Sequence, residues 1–172
     1  MKALFATLIL LSASLCLAGE APEAPSAATL AAICKVPEAA VGRTVKLPDI
    51  DPMLKGKMVW LATYAFSQPV DFGITLACVP HGRFKQESFS MIATRPELEY
   101  KKIELPDGSV IHHNLGDRGD QGTFYSTTLV TKDGPYDYTL LIARKPGVKD
   151  EDLPIDISSS GIGLIQKLTE QK

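Results

Sequence analysis

The sequence predicts a mainly β, α+β chain: an antiparallel sheet or sandwich of six to eight strands with short N- and C-terminal helices. Three observations carry that prediction. The stretch from Leu98 to Arg144 holds two strand–turn–strand patterns joined by the glycine-rich segment GDRGDQG. Two apolar runs, MVWLATYAF and DFGITLACV, precede it and are linked only by SQPV. Strand candidates then recur near every ten residues with no helical periodicity between them, the mark of an antiparallel and not a parallel α/β arrangement.

Taken in order, the chain divides into an export signal (1–18), a disordered spacer (19–29) and a single β-rich domain (30–172). Lys2 precedes an almost wholly apolar run to Leu17, and small residues follow at Ala18, Gly19 and Ala21. That run is short for a membrane span, and no other segment is a candidate, so no membrane span is expected. Cys16 lacks the leucine and small-residue pattern of a lipoprotein processing site, since Ala13 and Leu15 occupy those positions. The core of the spacer, EAPEAPS over Glu20–Ser26, has nothing to bury. From Ser26, SAATLAAICK fits a short helix with Ser26 as its cap and Leu30, Ile33 and Cys34 on one side.

Residues 36–56 carry three prolines and leave room only for a short strand over Arg43–Leu47. In the first apolar run Trp60, Ala62, Tyr64 and Phe66 share a face, and Val59, Leu61, Thr63 and Ala65 share the other. Both faces look covered, which predicts a central strand. A further strand is expected over Glu87–Thr94. In LEYKKIELPDGSVIHHNL, Pro106 presets the second turn position and Gly108 can take the left-handed conformation that closes a three-residue loop. The register that follows pairs Leu105 with Ser109, Ile103 with Ile111, Lys101 with His113 and Glu99 with Leu115. It sends Ile103, Leu105, Ile111 and Leu115 to the core and puts His112 and His113 on opposite faces. Asp133-Gly134 would suit a two-residue turn, but Pro135 has no N–H to close it, so a longer loop is expected. After a turn-rich connection over KPGVKDEDLP, Ile155–Ser159 reads as a last strand, and Ile162, Ile165 and Leu168 as a helix laid on the sheet.

Export places the two remaining cysteines, Cys34 and Cys78, in an oxidising compartment, periplasmic or extracellular, and a structural disulfide between them is expected. Eighteen basic residues against 20 acidic, a net charge of −2, give no electrostatic reason for nucleic acid as a partner. No dinucleotide fingerprint, Walker loop, HExxH or GxSxG motif occurs, and no cofactor or metal is expected. His112 and His113 diverge on a strand and cannot both join His81 in a metal site. The loop Gly116–Gly122 carries Asp117, Arg118 and Asp120. Its two carboxylates can serve calcium or a glycosidase acid/base pair, and Arg118-Gly119-Asp120 spells an adhesion tripeptide, but turn-forming composition accounts for all three.

One loop stands out. CVPHGRF puts His81 on a proline turn between two strands, with Arg83 two residues on, where a disulfide at Cys78 would stiffen it for insertion into a partner's cleft. Locally, Ala77-Cys78-Val79-Pro80-His81 resembles the inhibitory loop of the periplasmic Ivy family of lysozyme inhibitors, in which a Cys-x-Pro-His segment enters the enzyme. The resemblance covers five residues of 172 and departs from the family at Gly82-Arg83, where a second cysteine would stand. The expected function is a non-enzymatic binding, inhibitor or accessory module. It engages another extracytoplasmic protein or cell-envelope component through loops or a sheet edge, with His81, Arg83, Asp117, Arg118 and Asp120 as candidate binding residues. The alternative is a small hydrolase or metal-dependent enzyme built on His81, His113, Asp117 or Asp120.

Overall fold

The computed structural model describes residues 22–86, 89, 98–117, 123–154 and 161–166. The expected export signal, the loop residues Arg118 and Asp120 and the strand expected over 155–159 lie outside them. Ser26 caps the first helix, α1 (Ala27–Cys34), by accepting from the Thr29 amide at 3.0 Å. The helix ends on Lys35, whose left-handed backbone (φ 56°) lets its N–H and that of Val36 satisfy the last carbonyls. Leu30, Ala31 and Cys34 are its buried side.

The strands are β1 (Val41–Lys46), β2 (Trp60–Phe66), β3 (Phe72–Pro80), β4 (Leu98–Glu104), β5 (Val110–Asp117), β6 (Thr123–Val130) and β7 (Tyr136–Arg144). They form one antiparallel seven-stranded sheet in the order β1-β2-β3-β7-β6-β5-β4. Two meanders, β1-β2-β3 and β4-β5-β6-β7, are therefore joined along the β3–β7 ladder in the middle of the sheet. The β4–β5 register is the one the turn chemistry dictates: Lys101 faces His113, Ile103 faces Ile111, and Leu105 and Ser109 close the hairpin across Gly108 at φ 84°. Asp107 accepts from the Ser109 amide at 2.9 Å and so fixes the turn from inside. Between β6 and β7 the chain takes the longer connection that Pro135 demands, Thr131 to Pro135.

One face of the sheet is the core. Trp60, Ala62, Tyr64, Phe66, Phe72, Ile74, Leu76, Ile111, Tyr125, Leu129, Leu140 and Ile142 are buried there, with Leu30 and Cys34 of α1 and with Leu164 and Ile165 of a C-terminal helical turn, 161–166. The opposite face carries a row that crosses all seven strands in register: Thr44, Thr63, Thr75, Leu141, Ser126, Asn114 and Tyr100.

Four sequence expectations are corrected or altered by this arrangement. No disulfide joins Cys34 and Cys78; both are free thiols buried in the core. Each is used as a small apolar side chain, Cys78 between Trp60 and Tyr138 on the core face and Cys34 on the buried side of α1. An even cysteine count and an oxidising compartment say nothing about whether two buried positions face one another. The second face of β2 is not covered: Thr63 and Ala65 are exposed, because α1 and the C-terminal turn pack on the other side of the sheet. In the strand expected over Glu87–Thr94, the described residue Phe89 has helical backbone. The stretch read as spacer is tied down from Pro22 onward. Carbonyls of Pro22, Ala24 and Pro25 accept from Trp60 Nε1 (2.6 Å), Arg43 Nη2 (2.8 Å) and Tyr64 Oη (2.6 Å). Buried aromatic donors need acceptors, and a segment in which Pro22 and Pro25 lack an N–H still offers carbonyls.

Candidate functional site

At one end of the β3–β7 ladder Val79 faces Asp137, and Pro80 faces Tyr136. Beyond it the chain turns through His81 and Gly82, and the His81 amide extends the ladder by donating to the Pro135 carbonyl at 2.9 Å. Asp137 is fully buried, a carboxylate inside the protein that must collect hydrogen bonds or go unsatisfied. It collects them from both flanking loops. His81 Nδ1 lies 3.0 Å and the Thr131 amide 2.9 Å from Oδ1, and the Gly82 amide donates to Oδ2 at 3.2 Å. The Thr131 hydroxyl sits 3.1 Å from the same Oδ1 and 2.9 Å from the Tyr136 carbonyl, closing the knot. Gly82 has φ 79°, a conformation that lets its N–H turn back to the carboxylate and disfavours any side chain there.

Because a carboxylate oxygen only accepts, Nδ1 of His81 carries the proton in this bond, and Nε2 is the nitrogen left for something outside. The side chain is 41% exposed while its partner is 0%. A half-exposed imidazole is thus held by a buried anion at the tip of a turn. The stiffness expected from a disulfide is present, but its source is Asp137, 56 residues away in sequence. A lone Asp in TKDGPYDYTLL carries no signal of this role; only the β3–β7 pairing, which sequence periodicity does not specify, brings it under the turn.

The other predicted residues do not converge on this point. Arg83 is exposed beside the loop, its Nη2 within 3.9 Å of where a Cβ on Gly56 would stand. Asp117 ends β5 opposite Thr123, on the far side of the ladder step that pairs Phe124 with Ala143, whereas Asp137 lies six residues before Ala143 on β7. Asp117 is level with Arg144 and the His81 turn with Pro135, so at the strand rise they are about 30 Å apart along the strands, at opposite ends of the sheet. His113 is buried on the core face, with its Nδ1 2.8 Å from Thr127 Oγ1, and burial holds its pKa below the usual histidine value, with a further lowering from Lys101. His112, on the other face, bonds Tyr100 Oη through Nδ1 at 2.7 Å and stacks on Phe89 with ring centroids 3.6 Å apart. Burial lowers its pKa also, followed by Lys102. Among the described residues no group of three or more His, Cys, Asp or Glu side chains is placed to hold a metal ion.

The cysteines take no part in the site as nucleophiles. Burial pushes the Cys34 thiol up to about 11, and burial together with the Asp137 charge pushes Cys78 up to about 12, so both stay protonated and unreactive. A shallow cavity of about 550 Å³ opens at the opposite end of the sheet, between Ala40, Phe66, Phe72, Asp71 and Lys145, and is lined mainly by apolar and backbone atoms. No helix among the described residues is long and apolar enough to cross a membrane. Compared with known proteins, the chain matches no family model, no curated protein and no solved structure.

Proposed function

We propose that the chain is an exported, non-enzymatic binding module that engages another extracytoplasmic protein or envelope component through the His81–Arg83 turn. The observation that carries this reading is the buried Asp137 carboxylate, which receives His81, Gly82 and Thr131 at once and fixes the turn before any partner arrives. A loop ordered in advance loses less entropy on docking. The competing reading makes His81 a general base with Asp137 as its orienting acid, two members of a nucleophile–base–acid triad. The hydroxyl nearest His81 among the described residues is that of Thr131, and it lies 3.5 Å from Nδ1, the nitrogen already committed to Asp137. A nucleophile has to meet the other nitrogen.

One experiment separates the two. The protein, its His81→Ala variant and a control Asp71→Ala at the far end of the sheet are immobilised and challenged with envelope extract, and all three are assayed on ester, peptide and glycan substrates. The expected outcome is a partner retained by the wild type and the control and lost with His81→Ala, without turnover. Turnover abolished by His81→Ala, or capture indifferent to His81, overturns the proposal.

A further inference from the structure

The sequence shows no basic cluster, but the fold assembles one around the His81 turn. The loop between β1 and β2 lies at the same end of the sheet, because Lys46 ends β1 and Trp60 begins β2 opposite Cys78. Asp51 caps the short 3-10 turn Pro52–Leu54, Leu54 is buried as its anchor, and its carbonyl accepts from both Lys57 and Met58. The turn that follows carries Lys55 and Lys57 on either side of Gly56, and Gly56 lies against Arg83. Lys55, Lys57, Arg83 and Lys85 are all exposed, and none makes an ion pair among the described residues. Between Pro52 and Val70 and between Phe72 and Gln86 there is no acidic residue. Of the acids nearest in the fold, Asp51 pairs with Lys46 at 3.6 Å and Asp137 is buried, which leaves Asp49, exposed beside Ile50, and Asp133, on the β6–β7 loop, against the four cations. In a chain of net charge −2 this end is locally positive.

A second feature sits beside the first. Of the large apolar side chains exposed among the described residues, Leu47 (40%), Ile50 (74%) and Met53 (76%) belong to this one loop. Their backbone is ordered by the Leu47 carbonyl, which accepts from the amides of Ile50 and Asp51. Exposed apolar residues bordered by charge are the anatomy of a protein interface, with a desolvated centre and a polar rim. They contribute nothing to a polyanion such as a sulfated glycan or nucleic acid, which would be met by charge alone.

Resting on the binding role proposed above, we infer that the partner is an acidic protein. On this inference the exposed Ile50 and Met53 meet an apolar patch on that protein, and Lys55, Lys57, Arg83 and Lys85 meet carboxylates around it. Such a rim acts mainly on encounter rate and on specificity, and its contribution falls with ionic strength, because the screening length is about 10 Å at 0.1 M salt.

Three immobilised probes test this with the whole chain: poly-L-glutamate, a glutamate–tyrosine copolymer and heparin. The wild type is expected to bind both glutamate polymers at low salt, and the copolymer several-fold more tightly than poly-L-glutamate and more tightly than heparin. Replacing Lys55, Lys57, Arg83 and Lys85 together by Glu should weaken both glutamate polymers at least about tenfold, from four surface pairs lost and repulsion gained. Ile50→Ser with Met53→Ser should abolish only the copolymer's advantage. Lys149→Glu, at the other end of the sheet, should change neither. Preference for heparin over the copolymer, equal binding to the two glutamate polymers, or retention untouched by the charge reversal overturns the inference. If capture of an envelope partner still depends on His81 in that event, the binding role stands and only the acidic partner falls.

Discussion

At the scale of single residues, Asp137 decides more than any other side chain. It is isosteric with Asn, yet the exchange is not conservative. An amide presents one oxygen where the carboxylate presents two, so its NH₂ would face either the Gly82 amide or the Thr131 amide and His81 Nδ1, donor against donor. Hydrogen bonds to a buried charge are the strong class, and leaving donors unmet costs more than losing a bond. Asp137→Asn should therefore lower stability by about 2–3 kcal/mol. Urea denaturation checks the magnitude, and faster amide exchange at Gly82 and Thr131, with the rest of β7 still protected, checks the location. Equal exchange at both amides in the two proteins would mean that Asp137 does not hold the turn. His81 was legible in the sequence as the tip of a stiff turn, because Pro80 and Gly82 are local signals. Its partner was not, because the stiffening group is remote and the visible candidate, Cys78, points into the core. The two thiols teach the same point: Cys34 and Cys78 are chemically a disulfide pair on paper, and in the fold each fills its own apolar site.

At the scale of elements, what could be read from the chain is what neighbouring residues determine. The β4–β5 hairpin came out in its true register because Pro106, Asp107 and Gly108 fix the turn and the period of two does the rest. The Ser26 cap and a β6–β7 loop longer than two residues were legible for the same reason. Coverage of a face was not: β2 is apolar along both sides, but Thr63 and Ala65 look outward because α1 and the C-terminal turn pack on the other side. That turn, 161–166, is held by a close approach. A Cβ on Gly161 would stand 2.6 Å from Thr127 Oγ1 and 3.4 Å from His113 Cε1, and Thr127 and His113 are locked to one another at 2.8 Å on the core face. The obstacle is a hydrogen-bonded buried pair and not the loose end of a surface chain, so it cannot step aside cheaply. Gly161→Ala should cost about 1–3 kcal/mol, the range of an overpacked core, even though alanine favours helix over glycine. Limited proteolysis should cut the C-terminal segment faster in the variant while the sheet stays intact. A variant as stable as the wild type would show that the turn does not seat on this pair.

For the whole molecule, burial of imidazoles on both faces of the sheet makes stability depend on histidine protonation. The two vicinal histidines lie on opposite faces, yet both are buried: His113 beneath the C-terminal turn beside Thr127 and Tyr125, and His112 between Phe89 and Tyr100. The cations facing them, Lys101 and Lys102 across the β4–β5 ladder, add to burial in disfavouring a second positive charge, and both pKa values are lowered from the ordinary 6.5. The folded protein then binds fewer protons than the unfolded chain once the pH drops below about 6.5, so stability is complete above that value and declines as pH falls. The carboxylate contribution has the same sign but a separate window. Asp107, held below its usual 3.8 chiefly by the Ser109 amide, loses its stabilising effect only as the pH falls through that lower range. Thermal midpoints recorded between pH 8 and 4 should accordingly be flat down to about 6.5 and then fall, before carboxylates titrate. His112→Gln and His113→Gln should each be less stable than the wild type at pH 7.5, because neither stacking on Phe89 nor the Thr127 bond is fully replaced, but each should show a shallower decline between pH 6.5 and 5. A decline of unchanged steepness in both variants would place the acid sensitivity elsewhere in the molecule.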